Sequence, residues 1–414
     1  MIRFIALLLS LLAAANIRAA GAGCQPDSAT APLDNGDDVI LCTGEDLDGL
    51  NGDTPFLPRG GNDVIVVEQG AVVRNAIFGD GLAFGRGGDD RITNHGTILA
   101  QGTRTGTNGD IEGDVVADGD GGDDVITNNG LVTGDIDGDS ADDLNNDGSG
   151  GNGGHDVIIN NGTVEDDLDG DNAAHDGGDD LIINNGTVGG DIQGDDNLGA
   201  AGSRGGADLI IINGTVAGSV YADYGVEDGG DDLVIIQNGA HGGDDAALYL
   251  DGGDGIDRLM FNLLVPDAAQ LAAFTAQLTA ADPARGQFTF NGQTFTWTNF
   301  EVIEPALVLT LPAVVTTSAS RGWSARLNRS ESWQTAVYCT ATRLVVIGLD
   351  EANRAQHLFT ITAAELQAAL AARPTAPIAQ RDGQALSVSP AGEVVVHDSA
   401  GRYELRFEAA LCGG

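Results

Sequence analysis

The 414-residue chain has no lysine, only two methionines and four cysteines, and aromatic residues make up 5% of it. Without lysine, positive charge rests on 19 arginines against 62 acidic residues, for a formal net charge of -43. That balance excludes nucleic acid and anionic membrane as partners held through a basic patch. Cys24, Cys42, Cys339 and Cys412 form no C-x-x-C pair and have no histidine cluster beside them, which argues against zinc. Beyond the first 24 residues, no apolar run is long enough to span a membrane as a helix. Hydrophobic residues still reach 42%, so wholesale disorder is excluded and the length suits two domains.

The acidity is confined to one segment. From Cys24 to Asp257 there are 49 acidic residues and six arginines, whereas 258–414 holds 13 acids and 11 arginines. Of those 49 acids, 44 are aspartate. A merely solvated surface has no need of that bias. Aspartate is favoured where a short carboxylate folds back on a turn or meets a cation beside the backbone.

The opening "MIRFIALLLSLLAAANIRAAGAGC" reads as a secretory signal peptide over residues 1–22, with cleavage after Ala20 or Ala22. "GAGC" also resembles a lipoprotein box, with Cys24 as the lipidated residue. An even cysteine count in an exported chain suggests disulfides, and proximity pairs Cys24 with Cys42 and Cys339 with Cys412.

A Gly-x-Asp-x-apolar unit recurs as "GDDVI" at 36, "GNDVI" at 61, "GDDRI" at 88, "GDDVI" at 122, "GHDVI" at 154, "GDDLI" at 178, "GADLI" at 206 and "GDDLV" at 230. Its steps run from 24 to 34 residues, with the excess in loops such as "DSADDLNNDGSGGNGG". Each unit continues with an Asn-Gly turn and a β-branched pair, as in "NNGTV", and then apolar-x-Gly-Asp, as in "IEGD". Three short strands in about 24 residues make one turn of a triangular coil. The expected fold is therefore all-β: a parallel β-solenoid (β-helix) over residues 23–260, whose stacked turns bury apolar columns that no single turn can bury. One wall would hold Ile40, Ile65, Ile92, Ile126, Ile158, Ile182, Ile210 and Val234. A second would hold Ile98, Val132, Val164, Val188 and Val216. The third would hold Ile77, Ile111, Ile136, Leu168, Ile192, Val220 and Leu248. A propeller needs four longer strands per blade and aromatic signatures.

Stacking places equivalent aspartates roughly 5 Å apart on neighbouring turns. Two carboxylates at that distance repel by about 0.8 kcal/mol even in water. Two columns over the whole coil reach on the order of 10 kcal/mol, a domain's entire stability, less whatever the insertions displace. Bound cations are the natural remedy. Calcium suits carboxylates and backbone carbonyls in flexible geometry, magnesium is stricter, and transition metals prefer His or Cys. The candidate ligands are Asp38, Asp63, Asp90, Asp124, Asp156, Asp180, Asp208, Asp232 and Asp257, with Asp114, Asp139, Asp171 and Asp195 from the Gly-Asp strand as a second column. The bland alternative is a turn-rich solenoid that tolerates its charge through salt.

"GGDGIDRLM" at 252–260 resembles the calcium-binding nonapeptide of repeats-in-toxin (RTX) proteins, with Gly252, Gly253, Gly255, Asp257 and Leu259 in the motif positions. The eight earlier units match only its second half. The resemblance implies several Ca2+ ions between turns, held by the aligned aspartates and by Gly-x-Asp carbonyls, including those of Gly252, Gly253 and Gly255. RTX nonapeptides run in tandem at about 18 residues per turn. The 24-residue unit, with its Asn-Gly-Thr-Val element, is more similar to autotransporter adhesin passengers.

After the solenoid, "LLVPDAAQLAAFTAQLTAAD" reads as a helix starting near Pro266 and Asp267, and "QFTFNGQTFTWTNFEVI" as an Asn-Gly hairpin. Residues 261–305 therefore read as a cap with Phe288, Phe295, Trp297 and Phe300 in its core; the rival reading of these aromatics is a sugar-binding shelf. Residues 306–414 read as a β-rich C-terminal module with one helix, "AAELQAALAA", and one disulfide.

Function follows from singular features, and the aspartate pairs are not singular. They recur in nearly every turn, which marks architecture rather than an acid-base pair. No Ser-His-Asp grouping, H-E-x-x-H or P-loop appears; a lyase needs a basic Arg or Lys, and the solenoid has no lysine and no arginine in a recognisable site motif. Thr97, Thr163, Thr187 and Thr215 align as an ice-binding array would, but Leu131 and Ala71 interrupt them. The reading is an exported, calcium-binding solenoid, not an enzyme, that acts as a surface adhesin, matrix or structural component. Its partners would be calcium and a cell-surface or extracellular polysaccharide or protein. A β-helix polysaccharide lyase or hydrolase is the alternative, and an ice-binding protein the lesser one.

Overall fold

A computed structural model describes residues 23–25, 36–309 apart from loops 47–48, 54–57, 83–84, 101–108, 117–118, 142–150, 197–202 and 226–227, and the strands and helix between 316 and 408. The signal-peptide reading of 1–22 and the Cys339–Cys412 pairing lie outside the described residues. Cys24 is bonded to Cys42, which engages the sulfur that lipidation would need.

From residue 39 the chain coils through three parallel sheets. The first wall stacks Val39–Cys42, Val64–Val67, Arg91–Asn94, Val125–Asn128, Val157–Asn160, Leu181–Asn184, Leu209–Ile212, Leu233–Ile236 and Arg258–Phe261. The second is built from strands of two or three residues, such as Thr163–Val164 and Thr187–Val188. The third holds longer strands, including Ile111–Val116, Ile136–Ala141 and Leu168–Ala173. Register is strict: Ile126 faces Ile92 and Ile158, and Ile136 faces Ile111 and Leu168. The expected inward columns are buried on all three walls. One member differs, since Val220 pairs with Leu250; Leu248 pairs instead with Phe295 in the cap. On the second wall the neighbour of Thr97 is Val72, and Ala71 is buried just before it.

The corner between the first two walls is held by a ladder of buried amides. Asn94 Nδ2 donates to Asn128 Oδ1 at 2.9 Å, Asn128 to Asn160 at 3.0 Å and Asn160 to Asn184 at 3.0 Å. Each Oδ1 also accepts the N–H two residues on, as from Gly130 to Asn128, which closes the turn. "NNG" in the sequence places two asparagines here, and the structure assigns their roles: Asn184 turns inward, while Asn185 stacks outside on Asn161.

The walls continue past the solenoid at its C-terminal end. The helix Ala268–Thr279 is capped by Asp267, whose carboxylate accepts from the N–H groups of Ala269 and Gln270. The antiparallel hairpin Arg285–Phe290 and Gln293–Thr298 turns through Asn291 and Gly292, at φ 51° and 90°, and adds to the third wall. Val302–Pro305 adds to the first. Phe261 meets Phe288, Phe295 and Trp297 at 5.1–5.8 Å between ring centroids, so these aromatics are core, not a sugar shelf.

The C-terminal module comprises a five-stranded antiparallel sheet, the helix Ala363–Ala372 and a four-stranded antiparallel sheet. In its strand Arg343–Leu349, successive side chains serve different cores. Leu344 and Val346 pack within the module, while Val345 and Ile347 join Val157, Ile159, Leu181, Ile183, Leu209, Ile211, Leu233 and Ile235 on the outside of the first wall. The sequence carries the signal: "RITN" and "VITN" alternate, but "VIIN", "LIIN", "LIII" and "LVII" are apolar on both faces. Ile211→Ala is therefore expected to cost about 2–5 kcal/mol, the range of a core truncation, much as Ile210→Ala does. Denaturant unfolding of the two variants checks this, and a cost below roughly 0.5 kcal/mol for Ile211→Ala, typical of a surface site, would show the outer face to be open.

Candidate metal centre

The third wall ends in Gly-Asp, the chain turns through Gly-Gly, and the first wall begins after Asp. Each turn thus delivers two aspartates to one corner, for example Asp114 and Asp124. The Gly-Asp column is in register from Asp80 through Asp114, Asp139, Asp171 and Asp195 to Asp223. Most insertions fall between the Gly-Asp strand and the Gly-Gly turn, and one, at 100–110, between the second and third walls; neither column is displaced. The expected dilution of charge by insertions does not occur. Asp63, Asp90, Asp124, Asp156, Asp180, Asp208, Asp232 and Asp257 on one column and Asp114, Asp139, Asp171 and Asp195 on the other are all buried; only Asp38, on the first turn, is half-buried.

One oxygen of each carboxylate is used in folding. The N–H of Asp63 donates to Asp90 Oδ1 at 2.6 Å, that of Asp90 to Asp124 at 2.6 Å, and that of Asp124 to Asp156 at 2.7 Å. The series ends where Asp257 N–H donates to Glu301 Oε2 at 2.7 Å. On the other column, Gly88, Gly122 and Gly178 donate to Oδ2 of Asp80, Asp114 and Asp171, each at 2.7 Å.

The second oxygen is left over. Asp90 Oδ2, Asp114 Oδ1, Asp124 Oδ2, Asp139 Oδ2, Asp171 Oδ1 and Asp195 Oδ1 are buried with no hydrogen-bond partner. Glycines make the space for these groups. A Cβ on Gly79 would overlap Asp90 Oδ2, one on Gly113 would overlap Asp124 Oδ2, and one on Gly121 would overlap the Asp139 carboxylate. The pairs Arg74–Glu45, Arg204–Asp228 and Arg258–Glu304 lie outside this ladder.

Burial is the main reason these acids resist ionising, and their neighbours add to it. Asp63 is raised to about 7, and Asp90 and Asp257 to about 8, by desolvation and then by surrounding carboxylates. Asp80 and Asp223 rise to about 9 on the same grounds. Asp114, Asp124, Asp139, Asp171 and Asp195, fully enclosed, are held well above the usual carboxylate range. A buried carboxylate without partner charge either keeps its proton or takes a cation.

The geometry suits a cation. Asp53, Asp63 and Asp80 bring ligand oxygens within 4.8 Å of one another, as do Asp80, Asp90 and Asp114, then Asp114, Asp124 and Asp139, then Asp139, Asp156 and Asp171. Successive clusters share a member of the Gly-Asp column, so the clusters form one continuous zigzag. These clusters are of the kind that holds metal ions.

Three members of this ladder, Asp53, Asp80 and Asp223, are absent from the sequence-derived ligand set. "NGD", "FGD" and "YAD" carry them, and the same Gly-Asp or x-Asp offset after the third-wall strand identifies them. Glu301, in the cap, has no repeat signature. From the nonapeptide, Asp257 joins the ladder, whereas Gly252, Gly253 and Gly255 form the tight turn before it, Gly253 at φ 83° and Gly255 at φ 148°. Gly253 lies against Asp223 Cβ, where the next Gly-Asp carboxylate would fall, so the second column stops there.

No protein-family model matches the chain, and neither a curated protein nor a solved structure is significantly similar to it. The geometry stands alone.

Protonation and metal compete for the same oxygens, which fixes a sign. Acids whose folded pKa exceeds 3.8 stabilise the metal-free fold below that value and lose this as pH rises through 7 to 9. In a chelator, the melting temperature is therefore expected to fall steadily from pH 4 to pH 9. Calorimetry across that range checks it; a maximum near neutrality without metal would contradict the ladder's burial.

Proposed function

We propose that the chain is an exported calcium-binding β-solenoid whose ladder is filled by Ca2+, and that the stiffened rod serves as a surface adhesin, matrix or structural component. The observation that carries this reading is the row of buried, partnerless carboxylate oxygens facing one another across the corner in turn after turn. Each turn contributes two aspartates, a charge of about -2, which one divalent ion per turn neutralises.

Calcium is favoured over other metals by the donors. All are oxygens, the spacing repeats with a strand-to-strand slackness that a strict octahedral ion tolerates poorly, and no His or Cys enters the clusters. The RTX-like "GGDGIDRLM" supports the same ion, although here the ligands come from two columns rather than from tandem nonapeptides. Export is supported by the Cys24–Cys42 bond, which belongs in an oxidising compartment, and by the apolar leader of the sequence. The partner on this reading is an extracellular polysaccharide or protein that contacts the outside of the walls. Since the acid pairs recur along the whole coil, they do not favour the lyase reading.

Chelation tests the proposal. Adding millimolar Ca2+ to the metal-free chain at pH 7.5 is expected to raise the melting temperature by 15 °C or more, on the order of several kcal/mol by mass action. Calorimetric titration is expected to count roughly one ion per turn, and no shift at low salt would overturn the reading. Asp139→Asn, which removes charge from two adjoining clusters at once, is expected to lower that count and weaken calcium binding at least tenfold.

A further inference from the structure

Tyrosine is scarce in this chain, and three of its five tyrosines stand together on the outside of the third wall. Tyr221 and Tyr224 belong to the strand Val220–Tyr224, and Tyr249 to the next, Leu248–Asp251. Val220, Leu248 and Leu250 fill the core, so Tyr221 and Tyr249 face outward. The Tyr221 ring centroid lies 5.0 Å from that of Tyr224, with the planes tilted by 55°, and 6.2 Å from that of Tyr249, at 66°. Three rings set at such angles make a faceted aromatic surface. Tyr224 is 47% exposed; with Ile256 it stands out among the large apolar side chains of the described residues.

The coil does not require these rings. On the four preceding turns the position of Tyr221 is held by Glu112, Asp137, Asp169 and Gln193, and that of Tyr224 by Val115, Ser140, Asn172 and Asp196. Smaller or polar residues therefore satisfy the repeat where Tyr224 leaves its ring half exposed. An aromatic cluster kept open at one place on a regular rod marks a contact surface.

What it fits follows from its surroundings. Asp196 is in register with Tyr224 and Asp251 with Tyr221, and Asp169 lies behind Gln193. A positive group on this face, Arg285, lies two strands beyond Asp251, opposite Thr298. The neutral donors that a sugar's hydroxyls would need are engaged within the face. Gln193 Nε2 donates to Asp169 Oδ1 at 2.9 Å, Asn299 Nδ2 to Asp251 Oδ1 at 2.8 Å, and the Tyr249 hydroxyl to Asp251 Oδ2 at 2.8 Å. Ring faces and negative charge are left to meet a partner. That combination is complementary to an organic cation, and above all to guanidinium, which stacks on an aromatic plane while donating to carboxylates.

We propose that Tyr221, Tyr224 and Tyr249, with Asp196 and Asp251, form a docking surface for an arginine-bearing segment of an extracellular protein. The surface belongs to the fold; only the extracellular source of the partner rests on the adhesin reading above.

The test uses the full chain in millimolar Ca2+ and about 150 mM salt, which screens the diffuse attraction of so acidic a protein. The probe is a tetra-arginine peptide, followed by calorimetric titration. Tyr224→Leu keeps every charge and is expected to weaken binding about two- to fivefold, and the double variant Y221L/Y224L about tenfold. Tyr224→Phe, which keeps the ring, should bind as the unaltered chain does. Tyr224→Leu, at the more exposed position, carries the test if the double variant does not fold. No binding of the peptide, or equal binding by every variant, which is attraction by charge alone, would overturn the proposal. So would binding of a neutral gluco-oligosaccharide that the leucine variants lose, since the surface would then be a glycan site. Melting with and without Ca2+ on the same samples separates the two readings. A calcium shift without peptide binding removes this surface and leaves the ladder; tyrosine-dependent binding without a calcium shift does the reverse.

Discussion

Parallel stacking in strict register repeats every side chain at the strand spacing, and it does so for charges as faithfully as for isoleucines. For the apolar columns this is favourable, since each added turn buries another Ile or Val between its neighbours. For the aspartates it is a constraint that grows with each turn, because the carboxylates are aligned and buried. The glycines follow from the same constraint. Gly79, Gly113 and Gly121 have no Cβ because the space is occupied by a carboxylate from the adjoining turn. The corner is shaped around the acids rather than merely decorated with them.

Another polar device relieves the coil without charge. The amide ladder from Asn94 to Asn184 supplies a donor and an acceptor per turn, so it can be buried at no electrostatic cost. It ends where Asn184 meets Ile212, and the apolar column takes over. At the C-terminal edge the cap continues both kinds of order: its aromatics extend the core, and Glu301 extends the carboxylate series. The module then covers the outer face of the first wall, which makes the later turns a two-sided sheet. An exposed strand edge and an exposed apolar face are thus both covered near one end of the rod.

On this view the proposed calcium is not a cofactor for chemistry but a structural component, one ion replacing the repulsion of each pair of acids with attraction. A fold conditional on an ion abundant outside cells suits a protein exported to that environment.

Much of this was legible in the sequence because a repeat multiplies weak signals. "GDDVI" once is a turn and a strand; in eight variants 24 to 34 residues apart it determines the three-walled coil, the inward columns and the existence of aligned aspartates. Asp267 as a helix cap and the Asn-Gly hairpin were equally local. What local pattern did not reveal depended on contacts between distant residues. Only the folded corner interleaves Asp80, Asp90 and Asp114 into one cluster, because 10 and 24 residues of chain separate them and no spacing rule spans that turn. Which asparagine of "NNG" faces inward, where insertions leave the register intact, and that Val345 and Ile347 cover Ile183 and Ile211 were likewise settled by packing. The sequence by itself determined that charge would be stacked. The tertiary structure decided that it would be buried, because burial is a property of neighbours that only the closed coil brings together.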